Sequence, residues 1–314
     1  MKSQLIVSGS PHIVTARDTH SLMRDVLIAL SPAAVAAVLI FGLRALLLMA
    51  VTVGSAILFE FLYERLLHRR GTVSDLSAAV TGLILALNLP ATLPIWQAVL
   101  GAFVAIVIVK QLFGGIGHNF ANPAIVARIV LLISFTATMN RFAVRDGVWE
   151  LVSSATPLGT ALSGGKEVSY LTLFLGEHAG SIGETSALAL LLGLGYLLVR
   201  RVITWHIPVS FVGTVALLSL VGGEDVLFQI LSGGLLLGAI FMATDYVTSP
   251  ASYLGKLIYG VGCGSITVLI RFFGHAEGVS YAILMMNILT PYIDRLTRRR
   301  PFGRAPRAKG GSLK

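Results

Sequence analysis

The feature that most constrains this chain is a succession of segments, each about 14 to 20 residues long, that carry almost no charge. Ten can be marked, approximately Val26 to Leu43, Ala45 to Tyr63, Leu76 to Leu89, Ile95 to Phe113, Ala121 to Thr138, Thr185 to Val199, Thr204 to Val221, Val226 to Thr244, Tyr253 to Ile270 and Val279 to Ile293. With 55% hydrophobic and only 12% charged residues, the chain cannot cover a water-facing surface as an average soluble domain does with about 25% charge. It needs lipid as solvent, and the expected fold class is an all-α polytopic membrane protein of about ten transmembrane helices. The third, sixth and tenth segments are short for a hydrocarbon core of about 30 Å, so tilted, broken or re-entrant helices are expected there.

The net charge of +9 raises the question of nucleic acid, but the placing of the basic residues answers it. With a cytoplasmic N-terminus, 18 of the 24 Lys and Arg fall inside, 5 outside and one, Arg128, within a span. This is the asymmetry of the positive-inside rule, so both termini are expected in the cytoplasm and no nucleic-acid partner is. The basic tail reads as a topology anchor or a contact for anionic lipid. Residues 1–25 lack the apolar core and small-residue cleavage site of a signal peptide and are expected to be a cytoplasmic segment.

Cysteine usage is a single residue, Cys263. This chain alone can build no disulfide, zinc site or iron–sulfur cluster. Redox chemistry here would need an organic cofactor or a partner's metal.

The two halves resemble each other. Gly82-Leu-Ile-Leu-Ala-Leu reads like Gly234-Leu-Leu-Leu-Gly-Ala, and Lys110-Gln-Leu-Phe-Gly like Arg271-Phe-Phe-Gly. Both basic residues close the fourth span of their half and precede a loop with Gly and His, containing His118 in one case and His275 in the other. Five spans per half is an odd number, so the second copy enters the membrane from the opposite side. Two inverted five-helix repeats are expected, over 26–138 and 185–294, with discontinuous helices and a binding site near the midplane.

Between the halves runs the one long polar segment, 139–184, expected on the outer face; the tail is 295–314. At the centre of the polar segment stands Leu151-Val-Ser-Ser-Ala-Thr-Pro-Leu-Gly-Thr-Ala, where Pro157 restricts Thr156 to an extended conformation. Taken by itself, such a string is a turn or a helix N-cap.

Three separated blocks change that reading: Leu112-Phe-Gly-Gly-Ile-Gly-His-Asn-Phe-Ala-Asn-Pro-Ala, Ser153-Ser-Ala-Thr-Pro-Leu and Gly238-Ala-Ile-Phe-Met-Ala-Thr-Asp-Tyr-Val-Thr-Ser-Pro. Through them the chain, from about residue 20 to 295, resembles the D subunits of Rnf-type ion-translocating ferredoxin:NAD oxidoreductases. More distantly it is similar to the B subunits of sodium-translocating NADH:quinone reductases. The resemblance implies an electron-relay subunit of a redox-driven ion pump in the bacterial or archaeal cytoplasmic (inner) membrane. Its partners would be further membrane and iron–sulfur subunits, with sodium ions or protons as the coupling ion.

In that family the Thr of an Asp-x-x-Ser/Thr-Gly-Ala-Thr motif carries flavin mononucleotide (FMN) in phosphoester linkage, attached by a flavin transferase on the outer face. Thr156 is the matching acceptor, with Ser153, Ser154 and Ala155 completing the motif. Glu150 stands at the Asp position and Ser154 at the Gly position, where Ser would matter if the turn needs positive φ. The resemblance also admits a second, noncovalent flavin such as riboflavin. Arg141, Arg145 and Lys166 are candidate partners for the phosphate, and sequence does not choose among them.

Polar residues at membrane depth face a cavity or another helix. Asn119 and Asn122, which open the fifth span, and Asp245, which follows the eighth, are candidates for lining a cofactor pocket; helix capping is the alternative for Asn122 and Asp245. Arg128 either snorkels to the cytoplasmic face or pairs internally. Glu60, His68, His118, His206 and His275 lie near span ends, where solvated side chains are expected, and no metal-ligand spacing appears among them. A small-solute channel or transporter would suit the same repeats, but it would have no use for an outer Ser-Ala-Thr-Pro acceptor.

Overall fold

The computed structural model describes residues 18–68, 72–146, 150–153, 156–158, 169–273 and 278–298. Helix α1, Thr19–Phe41, begins where the Asp18 carboxylate accepts from Ser21 N. Its buried stripe, Ala29, Ala33, Ala37 and Phe41, repeats every fourth residue and faces the bundle. Val35 and Leu39 point away, 59% and 70% exposed, the apolar outer surface that lipid requires. Pro32 removes the amide that would bond Ile28 O, and the Ser31 hydroxyl donates to that carbonyl instead at 2.7 Å.

Helix α2, Leu43–Leu66, continues the small-residue stripe Ala45, Thr52 and Ala56 into two buried carboxylates, Glu60 and Glu64. It packs on α3, Ser77–Leu87, and on α4, Ile95–Phe103, which continues as a π-helix over Val104–Gln111. Helix α5, Pro123–Ser134, is followed by the turn α6, Thr136–Met139. A short antiparallel hairpin follows, β1 Ala143–Asp146 and β2 Glu150–Ser153, with Ala143 opposite Ser153. The all-α expectation is corrected to that extent: the hairpin, whose first strand lies against α1, satisfies its backbone by pairing.

The second half comprises α7 Tyr170–Leu175, α8 Ala187–Val199, α9 His206–Val221, α10 Val226–Leu231, α11 Leu235–Leu237, a π-helix over Gly238–Met242, α12 Tyr253–Phe272 and α13 Gly278–Thr297. Contacts in the halves correspond. Helix α2 lies on α4 as α9 lies on α12, α4 with its π continuation lies on α5 as α12 lies on α13, and α1 meets α8 across the halves.

Among the described residues three helices are long and apolar enough to cross a membrane, Thr19–Phe41, Leu43–Leu66 and Tyr253–Phe272, and five shorter apolar helices accompany them. This is consistent with a membrane protein. Helix α3, at 11 residues, rises only about 16 Å, so the shortness expected there is found. The tenth segment is not short, since α13 runs 20 residues. The eighth, expected as one helix, is the discontinuous one. Gly233 and Gly234, at φ 66 and 67, adopt the left-handed conformation that a continuing helix excludes.

Candidate functional site

Strand β2 delivers the acceptor motif. Ser153 ends the strand; Ser154 and Ala155 lie outside the described residues. Thr156 is half-buried, and Pro157 and Leu158, both buried, begin a helical turn directly after it. The side chains of Arg145 and Glu150, and all of Lys166, lie outside what is described, and Arg141 is exposed.

Leu158 is 2% exposed because it rests on the break in the second half. A Cβ at Gly233 would come 3.2 Å from Leu158 Cδ2 and 2.8 Å from Arg271 Nη2. Arg271, 5% exposed, reaches back from the end of α12 to this break. Its Nη1 donates to Gln229 O at 2.7 Å and Gln229 Oε1 at 2.8 Å, and its Nη2 to Ser232 O at 3.0 Å. The guanidinium thus satisfies carbonyls that the interrupted helix leaves open. Beside it, Glu184 Oε1 accepts from Ser181 N at 3.0 Å, and Glu184 Oε2 would lie 2.6 Å from a Cβ at Gly234.

A second site lies elsewhere. A cavity of about 390 Å³ is lined by Ser77, Lys110, Asn119, Asn122, Thr244 and Asp245, with aliphatic and aromatic groups between them. The structure therefore brings Asn122 and Asp245, distant in sequence, into one chamber, and also bears out the capping alternative for Asn122. Asn122 Oδ1 accepts from Ala124 N at 3.0 Å to start α5, while its Nδ2 donates to Met242 O at 3.1 Å. Asp245 accepts from Thr248 Oγ1 at 3.0 Å and Val247 N at 3.5 Å. Asn119 Oδ1 is buried without a partner. Both π-helices border the chamber, through Lys110 and through Ile240 and Phe241.

In sequence, Asp245 of the cavity precedes α12 and Arg271 of the Leu158 seat lies in its last turn. That helix has 20 residues, about 30 Å. Apolar walls with a few converging amides and a carboxylate suit a planar heteroaromatic ring with polar edges. Among the described residues no group of three His, Cys, Asp or Glu side chains is placed to hold a metal.

For the charged residues one expectation is corrected and one open alternative is decided. Glu60 is not a solvated end group. It is 0% exposed, and its Oε1 accepts from Lys110 Nζ at 2.6 Å and from Gln111 Nε2 at 2.8 Å. Lys110 also donates to Ser77 Oγ at 2.7 Å. A buried carboxylate and a buried ammonium require one another, since either alone in an apolar interior is prohibitively desolvated. Arg128 pairs internally rather than snorkelling: it is 5% exposed and its Nη1 donates to Asn88 Oδ1 at 2.9 Å. His118 and His68 are exposed as expected. His206 stacks between Trp205 and Tyr253 at 4.2 and 4.8 Å, and His275 lies outside the described residues.

Sequence reading misses Arg271 and Lys110 as buried anchors. The available signal is their matched placing at the close of corresponding spans, which by itself reads as topology.

The chain matches the model of the NQR2, RnfD, RnfE family over residues 6–303. It is 47% identical over 304 residues to the D subunit of the Na(+)-translocating ferredoxin:NAD(+) oxidoreductase complex of Acetobacterium woodii, covering 95% of each chain. It is 38% identical to the D subunit of the proton-translocating ferredoxin:NAD(+) oxidoreductase complex of Clostridium ljungdahlii, over 96% of this chain and 97% of that one. It is 40% identical to the D subunit of the ion-translocating oxidoreductase complex of Stutzerimonas stutzeri, over 92% and 93% respectively.

Proposed function

Because the chain belongs to the NQR2, RnfD, RnfE family, we propose that it is a membrane electron-relay subunit of an ion-translocating ferredoxin:NAD oxidoreductase. It carries FMN in phosphoester linkage on Thr156. The observation that carries the reading is the acceptor itself: a threonine intact at the motif position, half-buried at the exit of a hairpin, on a segment seated against the helical body. A tether there keeps a cofactor that would otherwise be lost to the external phase.

Bound FMN would supply the electron uptake and release. The chain supplies position. The hairpin presents Thr156, Pro157 restricts its backbone, and Leu158 fastens the segment to the Ser232–Gly234 break. Riboflavin, or another noncovalent flavin, is assigned to the cavity, where Asn119, Asn122 and Asp245 would meet the ring's polar edges. The unpartnered, buried Asn119 Oδ1 supports this.

The ten-span, inverted-repeat layout belongs to the same proposal. It is supported by the corresponding helix pairs of the two halves and by one discontinuous helix in the second. On this layout the membrane is the cytoplasmic (inner) one, both termini are cytoplasmic and Thr156 faces outward, within reach of a flavin transferase. Iron–sulfur and further membrane subunits of the complex complete the electron path. The relatives' names, all D subunits, favour this assignment over the quinone-reductase B subunit.

The test is in-gel fluorescence under ultraviolet light of the denatured full chain, co-expressed with the transferase. A fluorescent band that disappears in Thr156→Ala is the expected result. A wild-type band without covalent flavin refutes the reading.

A further inference from the structure

We propose that the buried guanidinium of Arg271 is the positive charge over which the Thr156-borne flavin phosphoester is seated, and that Arg271 and Glu184 tune the flavin's reduction potential in opposite directions. The inference rests on the flavinylation of Thr156.

Arg271 is more buried than its bonding justifies. Among the described residues its hydrogen-bond acceptors, Gln229 O, Gln229 Oε1, Ser232 O and Gly233 O, are all neutral. Its Nε is buried and has no partner. No carboxylate accepts from it among the described residues, and Glu184 acts on it only through space. A charge held this way gains part of its compensation from neutral dipoles and leaves a net positive field.

That field opens toward one segment. Leu158, two residues beyond the acceptor Thr156, shares with the guanidinium the space in front of Gly233. The phosphoester on Thr156 would bring a negative charge to this place, where desolvation makes the attraction strong. A structural pin for the broken helix would need only the carbonyl contacts; it would not need the unpartnered N–H or a position beneath the acceptor turn.

An electron that enters a flavin without a proton adds one negative charge. A fixed positive charge nearby favours that uptake, and a fixed negative charge opposes it. The experiment is a potentiometric titration of the covalently bound FMN in the full chain, purified in detergent after co-expression with the transferase. Dithionite supplies the electrons, and gel fluorescence measures loading.

Arg271→Gln is expected to disfavour reduction by about tenfold, about 59 mV more negative for one electron. Glu184→Gln, which keeps the oxygen that accepts from Ser181 N, is expected to move the midpoint the other way by a similar factor. Arg271→Lys, which keeps the charge, stays close to wild type.

Loaded Arg271→Gln with an unchanged midpoint, or both variants shifting in the same direction, overturns the inference and leaves Arg271 a pin. Should Arg271→Gln fail to accumulate, Glu184→Gln decides alone: a less negative midpoint supports the inference, and no shift overturns it. A wild-type chain with no covalent flavin takes down the functional reading first, and this inference with it.

Discussion

Lys110 and Arg271 close corresponding spans of the two halves, and both are buried, yet they are satisfied differently. Lys110 meets a formal counter-charge, Glu60 at 2.6 Å, in a cluster that also holds Gln111 and Ser77. Among the described residues Arg271 donates only to carbonyl oxygens, at 2.7 to 3.5 Å. The first is a closed ion pair beside the cavity; the second is an open charge beside the acceptor segment. The matched sequence positions Lys110 and Arg271 therefore both hold a buried cation without sharing what neutralises it. A charge left open has something further to attract.

The comparison breaks or sharpens under substitution, and the single buried Cys263 provides a readout, because a thiol-reactive dye in detergent reports when the fold opens. The largest effect is expected for Lys110→Met, which strands the Glu60 carboxylate in the interior and costs about 3–5 kcal/mol. Adding Glu60→Gln should recover part of that loss. If Lys110→Met melts like wild type, the pair is not the closed unit described.

Arg271→Gln comes next, at about 2–3 kcal/mol, since it leaves carbonyls rather than a charge unpaired. A loss larger than that of Lys110→Met would reverse the contrast between the two cations. Gly233→Ala follows at about 1–2 kcal/mol for the left-handed backbone. Its Cβ would meet Arg271 Nη2 at 2.8 Å, so it should also loosen the Thr156 seat, read as faster proteolysis of the 139–184 segment.

The smallest effect is expected at Asp225, which caps α10 by accepting from Leu227 N and Phe228 N. The Tyr170 hydroxyl, then the Phe228 and Leu227 amides, hold its carboxyl below the ordinary 3.8. Because the folded-state value is depressed, the cap's stabilisation is present above pH 3.8 and fades as pH falls below it. Tyr170→Phe should shrink this acid-dependent stabilisation and complete its loss at a higher pH, seen in melting curves across acid pH. No change would show that the tyrosine contributes nothing to the cap.

Local sequence makes much of this legible. The apolar segments announce a lipid environment because hydropathy sums along the chain and needs no partner. Thr156 is recognisable because its motif is contiguous, and Asn122 is legible as a cap because Pro123 follows it directly. The tenth segment reads as short because Glu277 on one side and Asp294 and Arg295 on the other bound its apolar run, although α13 continues through Asp294 and Arg295 to Thr297. The eighth reads as continuous because Gly233 and Gly234 are compatible with an apolar run until their φ angles are known.

What the sequence determined by itself was the solvent, the family and the threonine proposed as acceptor, all properties of short stretches read in order. Only the tertiary structure decided that Glu60 is the partner of Lys110, that Asn122 and Asp245 share a chamber, and that Arg271 and Leu158 meet at Gly233. Each of these joins residues at least 50 positions apart. Such pairings depend on which helix faces meet and where a helix breaks, and packing selects those among many alternatives that the local pattern leaves equal.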